Sequence, residues 1–211
     1  SAKRVRFVTD YTLQPIPGKT LSRRLPEGTA LVLEGGGLRG YYSCGVMEAF
    51  MEKDLLFPYI IGVSAGAANA LSYISGQPGR SREIIEHYVG NPDYVSTRNL
   101  LTKHTMFDFD YIFGTVPEKH IFFDWDKFHE QDTRFLTGAM NCADGKTVWF
   151  EKDTLKAPFM ASRASCSVPL ITKIQHYMGY DLLDGGISDP IPIEKSLADG
   201  NTFHVIVLTR N

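Results

Sequence analysis

The chain has 211 residues and a formal charge of −2, and it is 43% hydrophobic and 22% charged. That length suits one domain with a sizeable core, and the near-neutral balance excludes the electrostatic footprint of a nucleic-acid binder. No apolar run is long enough to span a bilayer, no secretory leader is read at the start, and Cys44, Cys142 and Cys166 lack the spacing of a disulfide frame or metal site. They read as reduced thiols in a cytoplasmic protein.

Taken in order, residues 1–28 read as an irregular lead-in. Lys3, Arg4 and Arg6 make its start basic, which suits a solvated terminus better than a surface-binding arm. Prolines 15, 17 and 26 with Gly18 and Gly28 punctuate the rest. The run 29–34 is a continuous apolar strand ending in Glu34. It meets Gly35-Gly36-Gly37-Leu38-Arg39-Gly40, and Val46, Phe50 and Met51 then predict a helix over 41–54. A second buried strand at 58–62 runs into Gly62-Val63-Ser64-Ala65-Gly66, and an alanine-rich helix follows to about 76. Ser81 is positioned to cap a further helix ending near Gly90.

Residues 91–134 are dense in aromatics and read as short helices and loops inserted over one end of the sheet. They serve either as the core of a helical subdomain or as a lid over an acyl chain. Asp108, Asp110, Asp124, Asp126, His129 and Glu130 within them fit neither calcium nor zinc spacing and read as a solvated face. A hairpin over 135–151 turning at Asp144-Gly145 is predicted next, then a helix over 153–165. An extended pair over 171–183 turns near Met178-Gly179, a short helix spans 192–199, and a last buried strand spans 203–208. Strands alternating with helices in the first third predict a mostly parallel sheet covered on both faces, a three-layer α/β/α domain.

Three glycine-rich turns carry the chemistry. Ser64 lies where a strand turns sharply into a helix, the setting of a nucleophile elbow; a capping serine in a small-residue turn is the plainer reading. Gly35–Gly40 matches the dinucleotide pattern G-x-G-x-x-G, but the next strand offers no acid for a ribose. A structural turn and an oxyanion hole of consecutive N–H groups both remain. Arg39 opposes the helix dipole there, so it either anchors the loop to a carboxylate or carbonyl or meets an anionic head group. Asp184 ends an extended segment before Gly185-Gly186, as a turn aspartate or as a base. His204 follows Ser64 and Asp184 in the order of an α/β-hydrolase triad, but it opens a predicted strand rather than a loop.

Together GGGLRG at 35–40, GVSAG at 62–66 and DGG at 184–186 resemble the patatin-like phospholipases over about residues 29–208. Ala161-Ser162-Arg163-Ala164 with Pro169, and Pro190-Ile191-Pro192, extend the resemblance. The resemblance implies a three-layer, mostly parallel α/β fold and a serine acyl hydrolase cleaving lipid esters. It implies Ser64 as nucleophile, Asp184 as base and an oxyanion hole at Gly36, Gly37 and Leu38. Gly35, Arg39, Gly40, Gly62, Gly66, Gly185 and Gly186 complete the motifs. It implies no metal, no cofactor, a lipid ester substrate and transient contact with a membrane surface by a cytoplasmic protein. Bacterial members usually continue with further helices after the strand near 203–208, which makes this chain read either as a fragment or as a form lacking those helices.

Overall fold

The structure is a computed structural model that describes residues 16–210. The basic segment Lys3–Arg6 and the first half of the lead-in lie outside the described residues. Its centre is a seven-stranded sheet. Strands β2 (Thr29–Leu33) and β4 (Tyr59–Val63) are buried at every position, as continuous apolar runs in parallel sheets are. β1 (Arg23–Arg24) and β3 (Leu55–Leu56) form a small parallel pair of their own, so the lead-in is not wholly irregular.

β2 is flanked by β4 and by the last strand, β9 (Phe203–Val207), all parallel. β4 pairs in parallel with β5 (Arg134–Asn141). The chain covers these crossovers with α1 (Gly40–Glu52) and α2 (Ser64–Ile74). β5 then turns back antiparallel into β6 (Thr147–Glu151), and β7 (Gln175–Tyr177) and β8 (Tyr180–Asp184) form a second antiparallel pair. Positive φ at Met178 and Gly179 closes that second turn.

Alternate side chains on β2 point to opposite faces of the sheet. Leu31 and Leu33 join the main core beneath α1 and α2, while Ala30 and Val32 join Tyr59, Ile61 and Leu136 on the other face. That second face is covered by Trp149, Ile191 and α7 (Ile193–Ala198), whose following residue Asp199 accepts from the Tyr59 hydroxyl at 2.8 Å.

Four predicted features differ in the structure. Ser81 does not cap its helix: α3 (Arg80–Ile84) begins after Gly79, a left-handed residue whose N–H donates to Glu48. The helix expected over 153–165 shrinks to α6 (Met160–Ser165), because Pro158 and the left-handed Phe159 precede it. The helix after Ser81 widens into a π-type turn at Ile85–Val89. The strand at 203–208 is an edge rather than a buried strand, with Phe203 and Ile206 facing outward.

In the insertion, α4 (Thr97–Lys103), a π-type helix over Tyr111–His120 and α5 (Trp125–Glu130) fold around two aromatic groups. Phe109, Ile112, Val116 and Ile121 gather with Tyr88, while Phe123, Phe128 and Trp125 enter the main core. Asp124 caps α5, Asp108 pairs with Lys103, and Asp110 pairs with Arg163 of α6.

The insertion is pinned to the domain by Arg80, which is buried and has no carboxylate partner among the described residues. Its guanidinium donates to the Phe122 and Ile121 carbonyls and to the Ser72 hydroxyl, and it lies 4.9 Å from the centre of the Phe123 ring. Gln77 adds donations to the carbonyls of Phe122 and Ile16. Removing the arginine leaves buried acceptors unpaired. Arg80→Ala is therefore expected to destabilise the fold by about 3 kcal/mol, read as a lower urea midpoint.

Candidate active site

The site forms where two strands meet end to end. β5 has β6 on one edge, at Leu136 to Met140. The other edge is shared: β4 occupies it up to Val63 opposite Gly138, and β8 takes over with Asp184 opposite Ala139. β4 arrives parallel and β8 antiparallel, so their C-terminal ends converge on the same point. Ser64 follows Val63 and Asp184 ends β8, and the Ser64 hydroxyl donates to Asp184 Oδ2 at 2.8 Å. Both side chains are buried.

Ser64 has φ +52, a left-handed backbone that non-glycine residues rarely adopt. This turn lifts the hydroxyl off the strand and starts α2 at once. The turn closes because Gly66 has no side chain: a Cβ there would lie 2.7 Å from the Glu34 carbonyl oxygen. Gly62 approaches the first turn of α2, and Gly40 approaches Ala65, where the Asn69 amide donates to the Gly40 carbonyl at 2.9 Å.

Ser165 locks the elbow from the side. Its hydroxyl accepts from the Ser64 N–H at 2.7 Å and donates to the Gly138 carbonyl at 2.6 Å. The Ala161–Ala164 motif of the sequence ends one residue before it. Its place directly after the Ala161–Ala164 motif was the available signal.

Asp184 is fixed by its own turn. Oδ1 accepts from the Gly186 N–H at 2.7 Å, and the Asp184 N–H donates to the Ser167 carbonyl. Gly185 must be glycine, since a Cβ would sit 2.2 Å from the Gly138 carbonyl oxygen. Burial raises the Asp184 pKa above the ordinary aspartate value, against the lowering effect of the Gly186 and Ser64 hydrogen bonds. Cys166 lies beside the pair; burial pushes its thiol up, with the Asp184 charge adding to the effect.

The glycine turn faces this pair: a Cβ on Gly35 would lie 3.2 Å from Ser64 Cβ. Gly37, Leu38 and Arg39 form one 3₁₀ turn leading into α1. The N–H groups of Gly36, Gly37 and Leu38 have no acceptor among the described residues, whereas those of Arg39 and Gly40 close the turn. The turn follows the C-terminal end of β2, the strand end at which sites form in open parallel sheets. Arg39 is exposed and its side chain makes no ion pair or hydrogen bond among the described residues, so the expected loop anchor is absent there.

His204 is elsewhere. It pairs with Ala30, level with Tyr59 at the start of β4, about 13 Å along the strand from Val63. Its ring contacts the Ser196 hydroxyl at 3.0 Å. No histidine hydrogen-bonds Ser64 or Asp184 among the described residues. Among the same residues there is no cluster suited to a metal ion, and no helix is long and apolar enough to cross a membrane.

YjjU of Escherichia coli K12 is 29% identical over 202 residues, covering 94% of this chain and 56% of that protein. A protein of Mycobacterium tuberculosis H37Rv named as NTE family is 27% identical, covering 78% of this chain and 44% of its own length. The chain thus spans about half the length of these relatives. Among solved structures, VipD from Legionella pneumophila aligns over 79% of this chain and 47% of its own, with a TM-score of 0.45 and 16% identity. The family model for patatin-like phospholipases matches residues 31–196. The chain belongs to the patatin-like phospholipase family.

Proposed function

We propose that the protein hydrolyses carboxylic esters of lipids, as a phospholipase A or lysophospholipase, through a Ser64–Asp184 dyad. The observation that carries this reading is the 2.8 Å hydrogen bond from the Ser64 hydroxyl to a buried carboxylate, beside free backbone donors. Family membership supports lipid esters as the substrate class.

In this reading Asp184 Oδ2 takes the hydroxyl proton as Ser64 Oγ attacks the ester carbonyl. The oxyanion is received by the N–H groups of Gly36, Gly37 and Leu38, which are fixed before reaction begins. Asp184 returns the proton to the leaving alcohol and the acyl group stays on Ser64. Water, activated by Asp184, then releases the fatty acid. A carboxylate is a weak base, and burial brings it closer to its task by raising its pKa. The exposed side chains of Leu38, Tyr42, Leu170 and Ile187 lie on segments flanking the glycine turn and Asp184, and they suit contact with a lipid surface. The exposed guanidinium of Arg39 suits an anionic head group there.

Hydrolysis of p-nitrophenyl esters of several chain lengths, on variants checked for folding, tests the dyad. Ser64→Ala and Asp184→Asn are each expected to lower kcat by about a thousandfold or more, and His204→Ala by less than about twofold. An Asp184→Asn enzyme that keeps most of the activity overturns the dyad.

The pH profile follows from the same groups. Asp184 must be ionised to accept a proton, and its pKa is raised. The kcat/KM profile is therefore expected to fall on the acid side, with a midpoint above the ordinary aspartate value of 3.8, and to have no histidine limb. A midpoint that follows a histidine and moves in His204→Ala contradicts this assignment.

A further inference from the structure

The glycine turn that offers the oxyanion donors has no side chains of its own at residues 35–37. No side-chain packing of these residues sets its shape, so contacts from outside add to the hydrogen bonds with which Arg39 and Gly40 close the turn. Part of that outside support comes from the Gly35 N–H, which donates to the Pro190 carbonyl at 3.3 Å. The rest comes from a residue 174 positions away. Thr209, two residues beyond β9, brings its hydroxyl within 2.9 Å of the Gly35 carbonyl oxygen and 3.1 Å of Glu34 Oε2. Its methyl and hydroxyl also fill the space under Gly36, where a Cβ would lie 2.4 Å from Thr209 Oγ1.

Thr209 is itself held. Its backbone N–H donates to Glu34 Oε2 at 2.5 Å, and Arg210 Nε donates to Glu34 Oε1 at 3.1 Å. Glu34 is the last buried position before the turn, and its side chain is only 2% exposed. A carboxylate at that depth is costly unless its oxygens are occupied. Burial alone would raise its pKa, but the donations from Thr209 and Arg210 outweigh this and hold it below the usual value. Glu34 is thus an ionised acceptor that ties the segment after β9 to the end of β2.

We propose that Glu34 and Thr209 form a latch that sets the Gly36–Leu38 N–H groups for the oxyanion, making Thr209 a positioning residue of the reaction. This rests on the dyad reading given above, but the latch can be read without turnover. Thr209→Val keeps the volume under Gly36 and removes the hydroxyl, so it separates the hydrogen bonds from the packing. Thr209→Ser keeps the hydroxyl.

Hydrogen exchange of the peptide covering residues 35–40, measured by mass spectrometry, gives the first readout. Exchange of the hydrogen-bonded Arg39 and Gly40 N–H groups, which close the turn, is expected to quicken about tenfold or more in Thr209→Val and in Glu34→Gln, and to return toward the parent rate in Thr209→Ser. Ester kinetics give the second. Thr209→Val is expected to lose about 10- to 100-fold in kcat with KM unchanged, because an oxyanion interaction is made in the transition state. Unchanged exchange in folded Thr209→Val overturns the latch. So does a loss in Thr209→Val that Thr209→Ser does not restore. If the parent shows no Ser64-dependent turnover, the dyad reading falls, and the exchange rates still decide the latch.

Discussion

Most of the site depends on how one edge of β5 is divided. β4 uses that edge as far as Gly138 and β8 uses it from Ala139 onward. Two chain ends that arrive from opposite directions must then turn away within a few ångströms of each other. The left-handed Ser64 and the Gly185-Gly186 turn are the two solutions, and they fit because Gly66 leaves room for the end of β2 and Gly185 for the Gly138 carbonyl. The contact between hydroxyl and carboxylate is thus a product of strand register. A one-residue slip of β8 on β5 would turn Asp184 to the opposite face.

The surrounding structure braces this buried junction. Ser165 ties the elbow to β5, α6 carries Ser165, and Arg163 on the same helix pairs with Asp110 of the insertion. The insertion is in turn fastened to α2 and its C-terminal turn through Ser72, Arg80 and Gln77. The aromatic segment therefore does more than cover the sheet end. It braces the helix that braces the Ser64 elbow. Burial of Asp184 has two effects: it costs solvation of the charge, and it makes the carboxylate a stronger base.

The parts of this architecture that the sequence exposed were those governed by local rules. β2 and β4 read clearly because both are unbroken apolar runs with glycine at their ends. The β5–β6 turn and the Met178-Gly179 turn followed from residues that tolerate positive φ. Ser64, Asp184 and the glycine turn were visible as motifs. Ser165 and Thr209 were not, since each acts across 100 or more residues and neither stands in a diagnostic pattern. The short α6 and the wide turns of the insertion depend on tertiary packing that overrides propensity. β9 read as buried because its composition is apolar, yet burial depends on what lies beyond an edge, which composition does not reveal.

The central claim is that the hydroxyl activated by Asp184 is the nucleophile. Its most direct test is covalent trapping with a fluorophosphonate, with the modified residue located by mass spectrometry and the labelling rate compared with that of folded Asp184→Asn. The account predicts one adduct, on Ser64, formed far more slowly when Asp184 is neutralised. An adduct on another side chain, or equal labelling rates in the two proteins, would contradict it.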